Sequence, residues 1–512
     1  MKKPLSLLLG LVMVLGLLGA PALAEQEAPM PITWVSYQMG AIYDDAIMIK
    51  YWNDFFNVDI QVWNLDNSRA ADQYSLWFAS NQIPDFMGLG FSLADFGKYV
   101  QQQVLAEIPE DLLMEHMPGT IAKLETDRPG CTGYGVIDGV RYGIPREVRF
   151  HNQFRGPLAY RGDWMEAVGV DKVPETLADF ENLMYKYAKD DPDGNGQADT
   201  YGLSKSGLEP VYGAFGYIPK LWKEIDGKLA YTSIQPEMKD ALATLAKWYA
   251  DGVLAPDYTV GENHGGYWAI THDFTEGKIG FSGHGAYYHW HPDIGVGENH
   301  IPAAMAASQG EEAAAKITFG APFTGPSGKA YTKGSAMYDG NQVAFGVHLE
   351  DDPVKMAKIM DMLEYWHGGD VEHFFEGFFG IKDVMWEYNA DGVPTVKAPY
   401  KQEELSMQGA HVLLACIGTL DTNAVMYKYR YDWAIENGFL EGEMMYSDLL
   451  APLPSRSTYW SDLEKLEDEY FTGIITGNEP LEKFDEFVTE WLANGGEILT
   501  QEANDWWSSL AK

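Results

Sequence analysis

Short apolar runs alternate with amphipathic stretches through the first part of the chain. The run ITWVSYQ begins at Ile32 and predicts a buried strand, and the next stretch places Ile47, Tyr51 and Phe55 at helical spacing. The runs VDIQVWNLD and IPDFMGLG predict two further strands, which a helix over 69–81 separates. Strands that alternate with helices need crossover connections, so this order predicts an α/β sheet with parallel pairing.

Amphipathic helices are also predicted in the middle of the chain and near its end. Apolar stripes at helical spacing follow Thr176, Pro236 and Pro353, and two more helices are predicted between 462 and 494. The Pro/Gly stretch over 320–329 is the most linker-like interruption, and no single boundary splits the chain in two. Alternating α/β units with two or three internal crossings predict two lobes that exchange segments around a cleft.

The N-terminus has the pattern of a secretory signal peptide. Two lysines precede an apolar run over 5–20, and Ala22 and Ala24 stand at the −3 and −1 positions of a cleavage point before Glu25. An uncleaved membrane anchor is the alternative, because the run approaches spanning length, but the Ala-x-Ala ending favours cleavage. No later segment has the length and apolarity of a membrane span. We therefore expect an exported protein.

Composition and charge narrow the class of protein. The chain has 512 residues, with 75 Asp and Glu against 36 Lys and Arg, which gives a formal net charge of −39. Such a field repels nucleic acid and anionic lipid surfaces, and disfavours polyanionic ligands unless a local basic pocket overrides it. The length suits two hydrophobic cores. The only cysteines, Cys131 and Cys416, could pair or remain as buried thiols.

Seven segments, in order along the chain, resemble one known family. It is family 1 of the extracellular solute-binding proteins that serve sugar ABC importers, and more narrowly the lipoprotein-type oligosaccharide binders common in Firmicutes. The resembling segments are ASNQIPDFM (79–87), DGVRYGIP (138–145), RGDWMEAVGVDKVPETLADFENL (161–183), DPDGNGQADTYGLS (191–204), EGKIGF (276–281), GAPFTGPSGK (320–329) and the tail from EYFTGIITGNEP to NDWW.

The resemblance implies a fold and a function. The fold is a two-lobe, type II periplasmic-binding-protein-like α/β fold, with residues 1–24 as signal peptide. Lobe 1 is expected to contain 31–145 and 325–375, and lobe 2 to contain 146–320 and 376–512. The function is capture of an oligosaccharide by a monomer that delivers it to ABC permease subunits. The lipid-modified Cys of Gram-positive members is missing, so a periplasmic, cell-surface or extracellular location stays open.

The loop DPDGNGQAD carries oxygen ligands at alternate positions. Asp191, Asp193 and Asn195 match the start of a calcium-loop template, Gln197 would offer its backbone carbonyl, and Asp199 stands at position nine. The Glu expected at position twelve is replaced by Gly. We predict a structural Ca²⁺ site in this loop. The alternative is an Asx-rich turn that ends a helix.

The densest aromatic cluster, GHGAYYHWHPD, follows the segment EGKIGF. Sugars need aromatic platforms for their C–H faces and polar side chains for their hydroxyls. We therefore predict His284, Tyr287, Tyr288 and Trp290 as ligand-binding residues. Further candidates are Trp460 with its neighbour Arg456, Trp386 and Trp268. For each aromatic residue the alternative is ordinary core packing.

Two other kinds of site compete with sugar binding. His284, His289 and His291 could chelate zinc, but a further ligand would be needed and no Cys is near. A secreted glycoside hydrolase would also be exported, acidic and rich in aromatic residues, and would need two carboxylates across a cleft. The H-E-x-x-H, G-x-S-x-G, P-loop and dinucleotide motifs are absent. The sequence therefore favours a binding protein with no catalytic residues.

Overall fold

The computed structural model describes residues 28–37, 42–65, 69–91, 93–146, 154–265, 268–292, 300–334, 341–411, 414, 416–449, 451 and 453–509. The signal peptide predicted over 1–24 lies outside these ranges. Of the helices in these ranges, none combines the length and the apolarity that a membrane crossing requires.

The strands are short and spread along the chain. They are β1 (Met30–Tyr37), β2 (Val58–Leu65), β3 (Phe86–Phe91), β4 (Val136–Ile137), β5 (Val140–Arg141), β6 (Ile144–Pro145), β7 (Ala159–Arg161), β8 (Tyr201–Leu203), β9 (Trp222–Ile225), β10 (Lys228–Tyr231), β11 (Ile279–Ser282), β12 (Ile317–Phe319), β13 (Tyr331–Lys333), β14 (Gln342–Phe345), β15 (Trp386–Tyr388), β16 (Pro394–Val396) and β17 (Glu443–Met445).

The helices account for more of the chain than the strands. They are α1 (Ile47–Phe56), α2 (Ala70–Ala79), α3 (Leu93–Gln101), α4 (Glu110–His116), α5 (Pro118–Asp127), α6 (Gly162–Ala167), α7 (Leu177–Lys189), α8 (Leu208–Ala214), α9 (Glu237–Ala250), α10 (His272–Thr275), α11 (Ile301–Gln309), α12 (Glu311–Ala315), α13 (Pro353–His367), α14 (Val371–Phe379), α15 (Gln402–Met407), α16 (Leu420–Met426), α17 (Lys428–Glu436), α18 (Arg456–Ile475), α19 (Lys483–Trp491) and α20 (Glu497–Ser509).

Lobe 1 is built on a five-stranded sheet with the order β2-β1-β3-β14-β6. β1 pairs in parallel with β2 and with β3, as the strand and helix pattern of the sequence predicts. β14 returns antiparallel to β3, and β6 is antiparallel to β14. The ends of β1, β2 and β3 therefore share one edge with the end of β6 and the start of β14.

Lobe 2 is built on a four-stranded sheet with the order β12-β7-β11-β8. β11 is parallel to β8 and antiparallel to β7, and β12 is antiparallel to β7. Four two-stranded pairs complete the strands of the described residues: β4 with β5, β9 with β10, β13 with β17, and β15 with β16. The two-lobe α/β fold predicted from the sequence is confirmed.

Each lobe has its own main apolar cluster. That of lobe 1 runs from Ile32 to Ile417, and that of lobe 2 from Leu158 to Ala503. The thiols of Cys131 and Cys416 are both free and buried in lobe 1, so the alternative of a disulfide is excluded in this structure. Burial raises the pKa of each thiol to about 12, which makes both unreactive at neutral pH.

Local signals fix the helices where the sequence predicts them. The hydroxyl of Thr176 accepts a hydrogen bond from the amide of Asp179, whose carboxylate accepts one from the amide of Thr176, so the two residues form a capping box for α7. Phe180, Leu183 and Tyr187 on that helix are buried. These three side chains form the apolar face that the sequence pattern predicts.

α1 is helical as predicted, but the residues whose spacing predicted the helix are not the ones that it buries. Ile47, Tyr51 and Phe55 are 40%, 38% and 52% exposed, whereas Met48 and Trp52 are fully buried. The helix has apolar residues on more than one side, so their spacing identifies the helix without showing which side meets the core.

Core packing suggests a different position for one of the predicted lobe boundaries. Trp386, Leu405 and Ile417, which were assigned to lobe 2 with all residues after 376, pack in the apolar cluster of lobe 1. No Pro/Gly-rich linker in this part of the sequence marks a return point. We propose that the chain passes back to lobe 2 between Ile417 and Tyr431, which packs in a cluster with residues of lobe 2.

The backbone of Arg146 connects three segments that join the lobes. Its amide nitrogen donates a 3.0 Å hydrogen bond to the carbonyl oxygen of Asn341, and its own carbonyl oxygen accepts one of 3.0 Å from the amide of Gly418. Each of the three residues lies where the chain leaves or enters lobe 1. We call this arrangement the hinge.

Arg155 holds the first turn of lobe 2 to two later loops. Its guanidinium donates to the carbonyl oxygens of Gly156 at 3.0 Å, Gly320 at 2.5 Å, Gly438 at 3.1 Å and Glu441 at 3.2 Å. Burial lowers the pKa of this guanidinium to about 10, which still leaves it charged at neutral pH. The cation is thus satisfied by carbonyl dipoles.

Candidate functional site

The connections of the two sheets show which edges face the space between the lobes. In lobe 2, β7 begins at Ala159 opposite Ser282, where β11 ends, and β12 ends at Phe319 opposite Ala159. In lobe 1, β14 begins at Gln342 opposite Phe91, where β3 ends. Because the chain enters and leaves both sheets at these edges, we take them as the two walls of a cleft.

A buried carboxylate fixes the loops at the edge of lobe 2. Glu262 is 2% exposed and accepts hydrogen bonds from the hydroxyls of Ser206 at 2.5 Å, Thr271 at 2.9 Å and Ser282 at 2.6 Å. It also accepts a 2.8 Å bond from the amide of Ser206. The loops that follow β8 and β11 are therefore tied to one anchor, which makes this edge a rigid support.

An exposed aromatic platform stands on that support. Trp268 is 58% exposed, its ring lies edge-on to the ring of His289 at 4.9 Å, and its carbonyl oxygen is 2.9 Å from Nε2 of His284. The half-buried Tyr288 packs on His289 with ring centroids 4.1 Å apart. We call Trp268, His284, Tyr288 and His289 the Trp268 platform. Three of its four members are predicted ligand-binding residues.

His289 was not among the sugar-binding residues predicted from the sequence, where it appeared only as a possible zinc ligand. Its imidazole is buried, and burial, together with the charges of His284 and Arg430, lowers its pKa to about 4. It is therefore neutral at physiological pH, and its Nδ1 accepts a 2.9 Å hydrogen bond from the amide of Ala286. A neutral ring beneath Trp268 gives an apolar base for a stacked sugar.

The zinc alternative finds no support in this geometry. Nδ1 of His289 is occupied by a backbone amide, and His291 lies against Trp433 with ring centroids 5.0 Å apart. In the described ranges, the loop 191–199 included, no three or more His, Cys, Asp or Glu side chains are grouped so that they could hold a metal. The histidines serve packing and hydrogen bonding.

Three predicted ligand-binding residues lie in the core instead. Trp386, Trp290 and Tyr287 are 0%, 1% and 3% exposed, so no ring face is open to a sugar. The indole nitrogen of Trp386 donates a 2.7 Å bond to the carbonyl oxygen of Gly380, and that of Trp290 donates a 3.0 Å bond to His284. Trp290 therefore positions the platform from below. We remove the other two from the candidate site.

Trp460 and Arg456 form a separate pair on α18. The guanidinium lies 4.1 Å from the centre of the indole, which itself packs edge-on to Tyr231 at 5.6 Å. Arg456 thus covers one face of the ring that was predicted to stack on a sugar. α18 also contacts α3 of lobe 1. Their part in ligand binding remains a prediction.

The predicted calcium loop is closed by its own hydrogen bonds. Asp191 accepts from the amides of Asn195 at 3.1 Å and Gly196 at 3.0 Å. The side-chain amide of Asn195 donates to Asp193 at 2.7 Å and to Asp199 at 3.3 Å. Loss of solvation raises the pKa of Asp193, and a hydrogen bond that its protonated form donates to Asp191 and the charges of Asp199 and Asp191 act in the same direction. The donor chemistry suits a hard cation, and the crowded carboxylates would gain from one.

Two arginines near the cleft were missed in the sequence. Arg430 lies over the ring of Tyr427 at 5.0 Å, and its charge reaches His289 of the platform. Arg128 lies over the ring of Tyr134 at 5.7 Å. No motif surrounds either arginine. The low number of arginines was the better signal, because in a chain with so many acidic residues each arginine stands out as a candidate for binding an anion.

Comparison with curated proteins finds relatives over most of the chain. It is 24% identical over 380 residues to the polygalacturonan/rhamnogalacturonan-binding protein YtcQ of Bacillus subtilis, which covers 72% of this chain and 70% of that protein. It is 23% identical over 486 residues to the lipoprotein LipO of the same organism, which covers 91% of this chain and 89% of that protein. No family model matches the chain.

Solved structures share the fold at low sequence identity. An extracellular solute-binding protein from Bifidobacterium longum subsp. infantis matches with a TM-score of 0.67 at 14% identity, over 94% of this chain and 99% of that chain. The alginate-binding protein AlgQ2, solved without calcium ion, matches with a TM-score of 0.61 at 14% identity, over 94% of this chain and 98% of that chain. An EF-hand mutant of the S. pneumoniae ABC-transporter substrate-binding protein FusA, in complex with fructo-nystose, matches with a TM-score of 0.58 at 15% identity. The match covers 93% of this chain and 99% of that chain.

The two lobes, the connections between them and these similarities over nearly the whole chain agree with one another. They support the resemblance found in the sequence: this chain has the two-lobe fold of the matched solute-binding structures and is similar over most of its length to YtcQ and LipO.

Proposed function

We propose that this protein is the extracytoplasmic substrate-binding component of an ABC importer and captures an oligosaccharide between its lobes. The observation that carries the proposal is the Trp268 platform. An aromatic ring that is more than half exposed, on a rigid edge that faces the other lobe, is what a sugar face requires.

The hinge supports a closing motion. A ligand that contacts both walls stabilises the closed form over the open form by its differential contacts, and a permease can recognise closure. Three backbone segments meet at Arg146, so a small rotation near this residue would move one lobe against the other. The permease subunits and a monomeric state belong to this proposal.

The relatives support a carbohydrate ligand and not a cleavage reaction. YtcQ is named for binding polygalacturonan and rhamnogalacturonan, and the matched structures are described as binding proteins. The alternative of a secreted glycoside hydrolase is therefore not favoured. We propose that this chain binds its sugar without turnover.

A paired assay tests binding against turnover. The mature protein is incubated with pools of plant and bacterial oligosaccharides, and both the melting temperature and the release of reducing ends are followed. We expect at least one pool to raise the melting temperature with no release, and small-angle scattering to show a more compact particle with that pool. Release of reducing ends would support the hydrolase, and the absence of any shift with any saccharide would overturn the proposal.

We also propose that the protein is exported through its N-terminal segment and binds calcium in the loop 191–199. The basic start, the apolar run and the Ala-x-Ala ending support cleavage before Glu25. The oxygen donors of the loop, and matched structures described without calcium or as an EF-hand mutant, support the cation. N-terminal sequencing of the exported protein tests the cleavage, with a start at Glu25 expected.

A further inference from the structure

We propose that the cleft selects an oligosaccharide that carries carboxylate groups, and that Arg430 and Arg128 bind these carboxylates from opposite lobes. The inference rests on the proposed function, because it names the chemical class of the sugar that the same cleft takes. The observations behind it are the positions of three arginines, Arg128, Arg146 and Arg430, and the absence of carboxylate partners for them among the described residues.

In the part of the chain that the structure describes, these three arginines form no ion pair, although the sequence is rich in carboxylates. The protein has 75 Asp and Glu against 36 Lys and Arg. Arg141 and Arg161 each pair with a carboxylate, at 2.7 Å and 2.6 Å. Among the described residues, no carboxylate stands at ion-pair distance from Arg128, Arg146 or Arg430. Cations left unpaired in such a chain indicate that an external anion is expected at these places.

Arg430 stands beside the Trp268 platform in lobe 2. It lies on α17, which packs against the turn 287–290 that carries Tyr288 and His289. The guanidinium is half-buried over the ring of Tyr427, at 5.0 Å from the ring centre, which restricts its motion. A sugar ring stacked on Trp268 would therefore have a preorganised guanidinium nearby for a carboxylate on the ring.

Arg128 offers a second cation from lobe 1. It follows α5 and lies over the ring of Tyr134 at 5.7 Å. Burial raises the pKa of Tyr446, which lies beyond the hinge on the lobe 2 side, after β17, and the nearby charge of Arg128 opposes this shift. The ring of Tyr446 packs directly on Gly334, where an added Cβ would lie 2.1 Å from its Cε1 atom. Arg128 and Tyr446 thus face each other across the gap between the lobes.

Arg146, at the hinge, adds a third guanidinium, one nitrogen of which has no acceptor among the described residues. Its backbone forms the hinge, and its Nε atom is buried without a hydrogen-bond partner among the described residues. A buried guanidinium nitrogen without an acceptor is costly, and the cost disappears when an anion enters. The residue therefore points to a ligand that brings oxygen acceptors to the hinge.

Neutral sugars would not require this arrangement. Hydroxyl groups are bound equally well by Asp, Asn and backbone groups, whereas the planar fork of a guanidinium matches the two oxygens of a carboxylate. The net charge of −39 opposes the approach of an anionic sugar at long range. Only local cations can reverse that opposition, and the three arginines supply them where the lobes meet.

Isothermal titration of the mature protein with three matched trisaccharides tests the inference. The probes are trigalacturonate, its fully methyl-esterified form and a neutral galactotriose. We expect trigalacturonate to bind at least about tenfold more tightly than either neutral probe, since each charge-assisted pair contributes strongly to affinity. We also expect the affinity for trigalacturonate to fall as salt rises from 50 to 500 mM.

Variants assign the effect to the two arginines. Arg430→Gln and Arg128→Gln are each expected to weaken trigalacturonate binding about tenfold to a hundredfold, and to weaken galactotriose binding by a clearly smaller factor. Lys172→Gln removes the same charge at an exposed position and is the control, with affinity expected to stay within about twofold. Circular dichroism and melting temperature show whether each variant is folded, and Arg430→Lys gives a folded alternative if a Gln variant is not.

The outcomes separate this inference from the proposed function. Equal or tighter binding of the neutral probes, or no loss in the two Gln variants, would overturn the carboxylate specificity while the capture of oligosaccharides stands. Tighter binding of a sulfated trisaccharide than of trigalacturonate would also overturn it. Failure of all saccharides to bind would reject the proposed function itself.

Discussion

Thr33 and Asp85 exchange hydrogen bonds in both directions between β1 and the start of β3. The amide and the hydroxyl of Thr33 donate to Oδ2 of Asp85, at 2.7 Å and 2.9 Å, and the amide of Asp85 donates to the hydroxyl of Thr33 at 2.7 Å. Oδ1 of Asp85 faces Nε2 of His348 at 2.8 Å and Nζ of Lys355 at 3.4 Å. One buried carboxylate therefore joins two strands and the segment that leads into α13.

The first prediction is that Asp85 stabilises lobe 1 only while it is ionised. Burial alone would raise its pKa, but hydrogen bonds from His348 and Thr33 and the charge of Lys355 lower it to about 2. A lowered folded-state pKa means that the stabilisation is complete above pH ~4 and is lost as the pH falls toward 2. We expect Asp85→Asn to lower the free energy of unfolding by about 2 kcal/mol at pH 7 and to flatten its dependence between pH 4 and 2. Urea unfolding measures both, with the exposed Asp59→Asn as control; equal effects of the two variants would contradict the prediction.

The second prediction concerns Glu467 in the core of lobe 2. Burial raises its pKa to about 7, although hydrogen bonds from Tyr231 at 2.8 Å and Ser233 at 2.9 Å and the charge of Lys220 oppose the shift. A raised folded-state pKa means that this carboxyl favours folding below its unfolded pKa of about 4.3, and that stability falls as the pH rises from there to about 7.

Glu467→Gln should remove this dependence. We expect the variant to be more stable than the parent by about 1–3 kcal/mol at pH 8, and equal to it near pH 4. Thermal unfolding across this pH range is the measurement, and the exposed Glu469→Gln is the matched control. A parent protein whose stability did not decline between pH 4.5 and 7 relative to the variant would contradict the assignment.

The third prediction is that Arg155 stabilises lobe 2 by joining carbonyl oxygens of three segments. Arg155→Met keeps the volume but removes the donor to Gly156, Gly320 and Glu441, while the carbonyl oxygen of Gly438 still accepts from the amide of Glu441. We therefore expect a loss of about 3 kcal/mol in the free energy of unfolding. Arg155→Lys should recover only part of it, because an ammonium cannot span the same set of oxygens. Denaturant unfolding measures both variants. A loss under about 1 kcal/mol in the Met variant would count against this role.

The fourth prediction concerns the Trp268 platform. Trp268→Ala should weaken oligosaccharide binding about tenfold or more without a change in melting temperature, because the exposed ring contributes to the ligand and not to the core. Trp268→Phe should retain most of the affinity. Titration with a ligand found by the thermal-shift screen measures both. Tyr51→Ala on α1 truncates an exposed ring on another face and is the control, and equal losses in the two Ala variants would remove Trp268 from the site.

The fifth prediction is that calcium stabilises the protein through the loop 191–199. A cation bound at about a hundred times its dissociation constant contributes about 2.7 kcal/mol, so millimolar calcium should raise the melting temperature by several degrees, and chelation should reverse it. Asp193→Asn with Asp199→Asn should abolish the shift, whereas Asp171→Asn outside the loop should not. An unchanged shift in the double variant would place the calcium elsewhere.

The fold could be predicted from the sequence more fully than the candidate site. The parallel strands, the capped helix after Thr176 and the helix after Pro353 follow from periodicity and turn chemistry, which act over a few residues. The return point after Ile417 could not be predicted, because the aromatic residues around Trp386 suit the core of either lobe equally well. For the same reason, composition could not separate the buried Trp290 and Tyr287 from the exposed Trp268.

The sequence by itself determined the elements, the two-lobe class, the loop of alternating oxygen ligands and the region of the Trp268 platform, because these depend on local spacing and on the order of segments. Only the tertiary structure decided which rings face outward, which residue joins the three crossings and which arginines have no carboxylate partner among the described residues. Those properties depend on contacts between residues far apart in the chain, such as Arg146 with Gly418, and no local pattern encodes them.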